Sequence, residues 1–131
     1  TPNIAAALSL ESAVEYINHI GINTIHTYEK TLMQRALEAL SAIQEVTVYA
    51  ASAEKCSVLS CSLKGLSSYD VSLILDKMGI AVRSGKHCAE PLMHKLGVNG
   101  TVRASFAVYN TAEEIDRFAA GLKRAAQLAS A

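Results

Sequence analysis

The apolar positions change their period along the chain, and each change predicts an element. From Ala5 to about Ile20 they recur at Leu10, Ala13, Val14, Ile17 and Ile20, the three-and-four spacing of an amphipathic helix. Gly21 ends it. A second helix is predicted from about Asn23 to Ser41, because Ile25, Tyr28, Leu32, Ala36, Ala39 and Leu40 can share a face and Asn23 can cap the first turn. The period then falls to two: Val46 to Tyr49 and Ser57 to Leu63 are β-rich, the second alternating apolar and polar residues as a half-buried strand does. Ala51 to Glu54 form the turn between them.

Gly65 closes that strand. Ser67 or Ser68 can cap a helix with Val71, Ile74, Leu75 and Met78 on one side, which Gly79 ends. Ile80 to Arg83 read as a short strand, followed by the polar loop Ser84-Gly85-Lys86-His87-Cys88 and a short helix opened by Pro91 and running through Leu96. After Gly97 to Gly100 a last strand is predicted from Val102 to Val108. Thr111-Ala112-Glu113-Glu114 is a capping-box signature for a closing helix with Ile115, Phe118, Leu122 and Leu128. This order predicts an α/β (α+β) two-layer sandwich, one sheet covered by helices. No repeat, linker or low-complexity tract interrupts it.

Composition narrows the function classes. The 131 residues allow one domain with a real core; half are hydrophobic, and 12 basic residues balance 12 acidic ones. Zero net charge with no Lys/Arg cluster leaves no electrostatic footprint for nucleic acid or an anionic membrane surface. No apolar run approaches transmembrane length and the first residues lack the charged start of a signal peptide, so a cytoplasmic protein is expected. Thr1-Pro2-Asn3 reads like the middle of a longer polypeptide. Cys56, Cys61 and Cys88 are odd in number and lack CxxC spacing, which suggests neither a zinc site nor a disulfide framework.

Cys88 is the candidate for chemistry. It lies in a polar loop beside Lys86 and His87, where positive neighbours favour the thiolate, so it could act as a nucleophile; a free cysteine near a helix start is the plainer alternative. Cys56 and Cys61 fall on strand positions, where packing is the default. His87 could act as a base, orient the thiol or simply sit at the surface. Arg83 and Arg103 lie in short strands among small or apolar residues, where an unpaired guanidinium is costly and each needs an anion: an internal Asp or Glu, or a substrate carboxylate held by both. His94-Lys95 has the residue types of a Schiff-base site, but nothing around Lys95 supplies a buried amine. Asn110-Thr111 and Glu113-Glu114 are explained by capping.

The loop carries a resemblance. Ile80 to Leu92, IAVRSGKHCAEPL, resembles the active-cysteine segment V-R-x-G-x-H-C-A-x-P-L of Suf-type (group II) cysteine desulfurases and selenocysteine lyases. Gly100 to Phe106 and Tyr109 to Thr111 resemble the R-A-S-x-x-x-Y-N-T segment of the same family, with its E-E-[IV]-D helix following. Thr1-Pro2-Asn3, Tyr28-Glu29, Leu32 and Tyr69-Asp70-Val71 resemble it in the same order, so the resemblance spans essentially the whole chain. It implies the small carboxy-terminal domain of a class-V aminotransferase, a fold-type I pyridoxal-phosphate enzyme, with a short, mostly antiparallel sheet. Residues 1–43 would be helices leading to a cofactor domain, and residues 44–131 the α/β sandwich.

The implied activity converts L-cysteine to L-alanine and leaves the sulfur as a persulfide on Cys88, for an acceptor protein serving iron–sulfur cluster assembly. By the same resemblance Arg103 and Arg83 hold the substrate carboxylate, His87 supports the cysteine, and Thr1 reaches the cofactor phosphate across a homodimer. The family's cofactor lysine, ring-stacking histidine and pyridine-pairing aspartate belong to an upstream domain, so this chain alone is expected to be inactive. Lys86 departs from a histidine common in the family. Three alternatives remain: selenocysteine lyase, a rhodanese-like carrier using Cys88 without pyridoxal chemistry, and an interaction domain in which Cys88 is inert.

Overall fold

The computed structural model describes residues 1–53 and 56–129. Its helices are α1 (Ile4–Ile20), α2 (Ile22–Ser41), α3 (Ser68–Lys77), α4 (Glu90–Leu96) and α5 (Ala112–Ala129); its strands are β1 (Val46–Val48), β2 (Val58–Leu63), β3 (Arg83–Gly85) and β4 (Thr101–Ser105). The strands form one sheet in the order β1-β2-β4-β3, every neighbour antiparallel. This is the α/β sandwich with an antiparallel sheet that the sequence predicts.

Alternation along β2 and β4 divides the sheet into two unlike faces. Leu59, Cys61 and Leu63 with Val102 and Ala104 point to one side and are all buried. There they meet Leu32, Ala36 and Leu40 of α2, Val71 and Leu75 of α3, and Ile115, Phe118 and Leu122 of α5 in one cluster. Phe106 and Phe118 meet edge to face with centroids 6.4 Å apart. The other side carries Val58, Ser60, Arg103 and Thr101, and α4 covers part of it. Burying the first face supplies the folding free energy; the second is left for polar side chains.

Caps set the element ends. Asn3 accepts the Ala6 N–H through Oδ1 at 3.0 Å, and Ser67 Oγ accepts the Asp70 N–H at 3.1 Å. The predicted capping box is reciprocal: Thr111 Oγ1 accepts the Glu114 N–H at 3.3 Å, and Glu114 Oε2 accepts the Thr111 N–H at 3.0 Å. The Asn110 side-chain amide and the Thr111 N–H, both donating to Oε2, hold the Glu114 carboxyl below its ordinary range. Outside the core, Arg35 forms a two-pronged pair with Asp116 at 2.8 and 2.7 Å, linking α2 to α5.

Several expectations are corrected. Asn23 does not cap α2. Gly21, at φ 89°, donates its N–H to the Ile17 carbonyl and accepts the Ile25 N–H, so α1 ends and α2 begins on the same residue. The apolar spacing of α1 makes a helix but no buried stripe: none of its residues is buried, and Leu8 and Leu10 are exposed. The strand expected at Ile80–Arg83 starts only at Arg83, because the Ile80 N–H is taken by the Leu75 carbonyl in closing α3. Ile80 instead packs against the core. The strand expected through Val108 stops at Ser105, where the Ala107 N–H turns to Asn110 Oδ1 at 2.8 Å. Leu128 is half exposed rather than part of the core. Glu54, the end of the expected turn, lies outside the described residues.

Candidate active site: an arginine pair beside a strained cysteine turn

The register of β3 on β4 sets Arg83 directly opposite Arg103. Residues so paired project to the same face with Cβ atoms about 4.5–5.5 Å apart, and like charges at that position destabilise the pair. Neither arginine has an internal acid among the described residues, whose ion pairs are Arg35–Asp116 and Lys86–Glu90. Arg103 is half-buried and its Nε is fully buried without a hydrogen-bond partner. A buried guanidinium nitrogen with nothing to donate to calls for an external anion, and two planar forks suit a carboxylate.

Arg103 lines a cavity of about 470 Å³ on the open sheet face, together with Ser60, Tyr49, His87, Thr101 and Met93. Pro91 stands in the first turn of α4 and the left-handed Gly97 (φ 68°) ends the helix, which lays Leu92, Met93 and Leu96 along this cavity. The site therefore has a cationic wall and an apolar floor. A second cavity of about 220 Å³, lined by Ile80, Phe106 and Arg117 among others, contains none of the expected site residues.

Cys88 sits on a tight turn. The Ala89 N–H donates to the Lys86 carbonyl at 3.0 Å, and the two residues between, His87 and Cys88, have φ of 55° and 58°. Positive φ at both central positions marks a type I′ turn, usually occupied by asparagine and glycine. For residues bearing a Cβ the left-handed region costs roughly 1–2 kcal/mol each. Cys88 is exposed, while its neighbours His87 and Ala89 line the cavity. The cation expected to favour its thiolate is engaged elsewhere: Lys86 pairs with Glu90 across the turn. His87 is also turned away, its Nε2 facing Thr101 and its Nδ1 buried and unbonded, so no hydrogen bond joins the imidazole to the thiol.

Arg103, Thr101 and His87 thus share the cavity, whereas Arg83 lines neither cavity and the Cys88 turn leaves the β3–β4 ladder at its other end, after Gly85 opposite Thr101. Thr1 is exposed, precedes α1, and lines neither cavity. Lys95 is exposed on α4. Sequence reasoning missed Thr101 and Ser60; Thr101 was legible, since residues two apart on a strand share a face and Arg103 was already a candidate.

The cysteines offer a direct measurement. Cys61 is 1% exposed, and burial pushes its thiol from 9.0 up to about 12. Iodoacetamide at pH 8 is expected to label exposed Cys88 and Cys56 while Cys61 is spared by more than about a hundredfold. Equal labelling of all three would contradict the packing. Above pH 9 the unfolded chain loses the Cys61 proton before the folded one does. Stability should therefore fall as pH rises from 9 towards 12, by at most about 4 kcal/mol at about 1.4 kcal/mol per pKa unit.

This α/β sandwich is shared with solved cysteine desulfurases, enzymes of the fold-type I pyridoxal-phosphate class. The apo cysteine desulfurase of Thermococcus onnurineus NA1 superposes with a TM-score of 0.90 at 42% identity, over 97% of this chain and 32% of that one. An S-sulfonic acid structure of an Escherichia coli cysteine desulfurase gives 0.89 at 34% identity, over 98% and 32%. A cysteine desulfurase of Pectobacterium atrosepticum is 46% identical over 95% of this chain and 30% of its own length. The chain belongs to the class-V aminotransferase family, whose model matches residues 1–118. It spans about a third of the length of these relatives.

Proposed function

We propose that this chain is the sulfur-accepting, carboxy-terminal part of a pyridoxal-phosphate-dependent cysteine desulfurase of the Suf type, with residues 1–43 leading to the cofactor domain and 44–131 forming the small domain. The observation that carries the reading is the opposed Arg83–Arg103 couple, with no acid partner among the described residues, two ladder positions from the Gly85–Thr101 pair at which the chain enters the Cys88 turn. Relatives named cysteine desulfurase across the chain support it.

In this reading the substrate α-carboxylate lies between the two guanidinium groups, which fixes the orientation of the amino acid. Among the described residues no lysine is buried, and the Schiff-base amine is assigned to the upstream cofactor domain of the full-length enzyme. Thr1 is assigned to the cofactor phosphate across a homodimer. When bound, pyridoxal phosphate supplies the electron sink for cleavage at Cβ. The Cys88 thiolate attacks the substrate sulfur; an S–S bond forms, the Cβ–S bond breaks with its electron pair left on carbon, and Cβ takes up a proton. L-Cysteine and a thiol become L-alanine and a persulfide, with no outside oxidant. An exposed thiol on a turn suits onward transfer to an acceptor protein, in a cytoplasmic pathway of iron–sulfur cluster assembly.

The test is to incubate the full-length protein with L-cysteine and map the product by peptide mass spectrometry. One added sulfur atom is expected on the peptide containing Cys88, together with released alanine, and neither is expected from residues 1–131 alone. Sulfur on Cys56 instead, or none on any cysteine while alanine accumulates, refutes the reading.

A further inference from the structure

Two consecutive left-handed residues with side chains do not persist unless their surroundings hold them. At the Cys88 turn the hold is visible. His87 Nε2 lies 3.0 Å from the Thr101 carbonyl oxygen and 3.1 Å from its hydroxyl. A carbonyl only accepts, so Nε2 carries the proton and the ring is committed to β4. Thr101 is 1% exposed and pairs with Gly85, the last residue of β3 before the turn. Beside it, a Cβ on Gly100 would stand 3.0 Å from the Gly85 backbone and 2.9 Å from Ser68 Oγ, so the strands are in close contact where the turn leaves the sheet. Two residues further along the same strand face is Arg103.

We infer that Thr101 is a positioning residue: through His87 it latches the left-handed turn onto β4, so that Cys88 is presented at a set place relative to Arg103. The catalytic consequence rests on the sulfur-acceptor reading above; the latch itself does not. Thr101 touches neither substrate nor the reacting sulfur in this account, and acts only by holding the imidazole.

The full-length protein is used for both arms of the test. In the first, denaturation midpoints are compared for wild type, Cys88→Gly, His87→Ala and the double variant. Glycine adopts φ near 58° without strain, so Cys88→Gly is expected to raise the midpoint while the latch is present. Without His87 the turn relaxes and the gain should vanish. A gain of equal size in both backgrounds overturns the latch.

In the second arm, Thr101→Val keeps the size of the side chain and the carbonyl but removes the hydroxyl, one of the two oxygens that share the Nε2–H, whereas Thr101→Ser keeps both. Thr101→Val is expected to lower kcat for L-cysteine about tenfold with KM unchanged, because the arginines are untouched, and Thr101→Ser to restore it. Unchanged kcat in Thr101→Val, a loss expressed in KM, or failure of serine to rescue overturns the positioning role. A Cys88→Ser enzyme that still produces alanine would defeat the sulfur-acceptor reading alone, and the first arm would still decide the latch.

Discussion

Replacing Arg103 by alanine in the full-length enzyme is expected to lower kcat/KM for L-cysteine by about 10²- to 10³-fold. A two-pronged, charge-assisted pair in a partly desolvated site contributes about 3–4 kcal/mol, and each 1.4 kcal/mol is a factor of ten. The burial of the Arg103 Nε is what raises the expectation above that for a surface cation, since water cannot replace the lost partner there. Arg103→Lys should recover only part of the loss, because an ammonium is a point charge and cannot meet both carboxylate oxygens in one plane. Arg83 is exposed, so Arg83→Ala should cost less than Arg103→Ala. Steady-state kinetics on the three variants settle the ranking, and wild-type kinetics in Arg103→Ala would remove the carboxylate clamp.

The largest effect on stability is expected at Leu122. It is 0% exposed at the centre of the α5 face, within the cluster that joins α2, α3 and the sheet. Leu122→Ala deletes buried methyl groups and leaves a cavity that three helices and a sheet cannot easily close, a loss of about 3–5 kcal/mol. For a chain of this size that lowers Tm by roughly 10 °C or more. Leu128, on the same helix but 50% exposed, is the internal control: Leu128→Ala should fall within about 0.5 kcal/mol of wild type. Similar losses at both positions, measured by urea denaturation, would mean that the core is not where the fold places it.

Both predictions turn on the difference between what a pattern declares and where it ends up. The alternation of Leu59, Cys61 and Leu63 and the spacing of Ile115, Phe118 and Leu122 declared a strand and a helix with buried faces, and both are buried. The spacing in α1 declared an equally good helix, but a buried stripe needs something to cover it, and no residue of that helix is buried. Ile80 to Val82 misled for the opposite reason. Their apolar character comes from the packing of Ile80 and Val82 against the core rather than from strand pairing, while the Ile80 backbone closes α3. Lys86 was expected to bias the Cys88 thiol, and the charge that occupies it, Glu90, is one helical turn further along the chain.

Local chemistry therefore determined the elements, their caps, the identity of the candidate thiol and the family to which its loop belongs, because helix spacing, capping boxes and a contiguous motif are all read within a few residues. The opposition of Arg83 and Arg103, the absence of an acid partner for them among the described residues, the facing of His87 towards Thr101 and the left-handed turn under Cys88 were decided only in three dimensions. Those features depend on which strand lies beside which and in what register. Pairing between residues twenty positions apart is set by the burial of the whole core, which no local stretch of sequence contains.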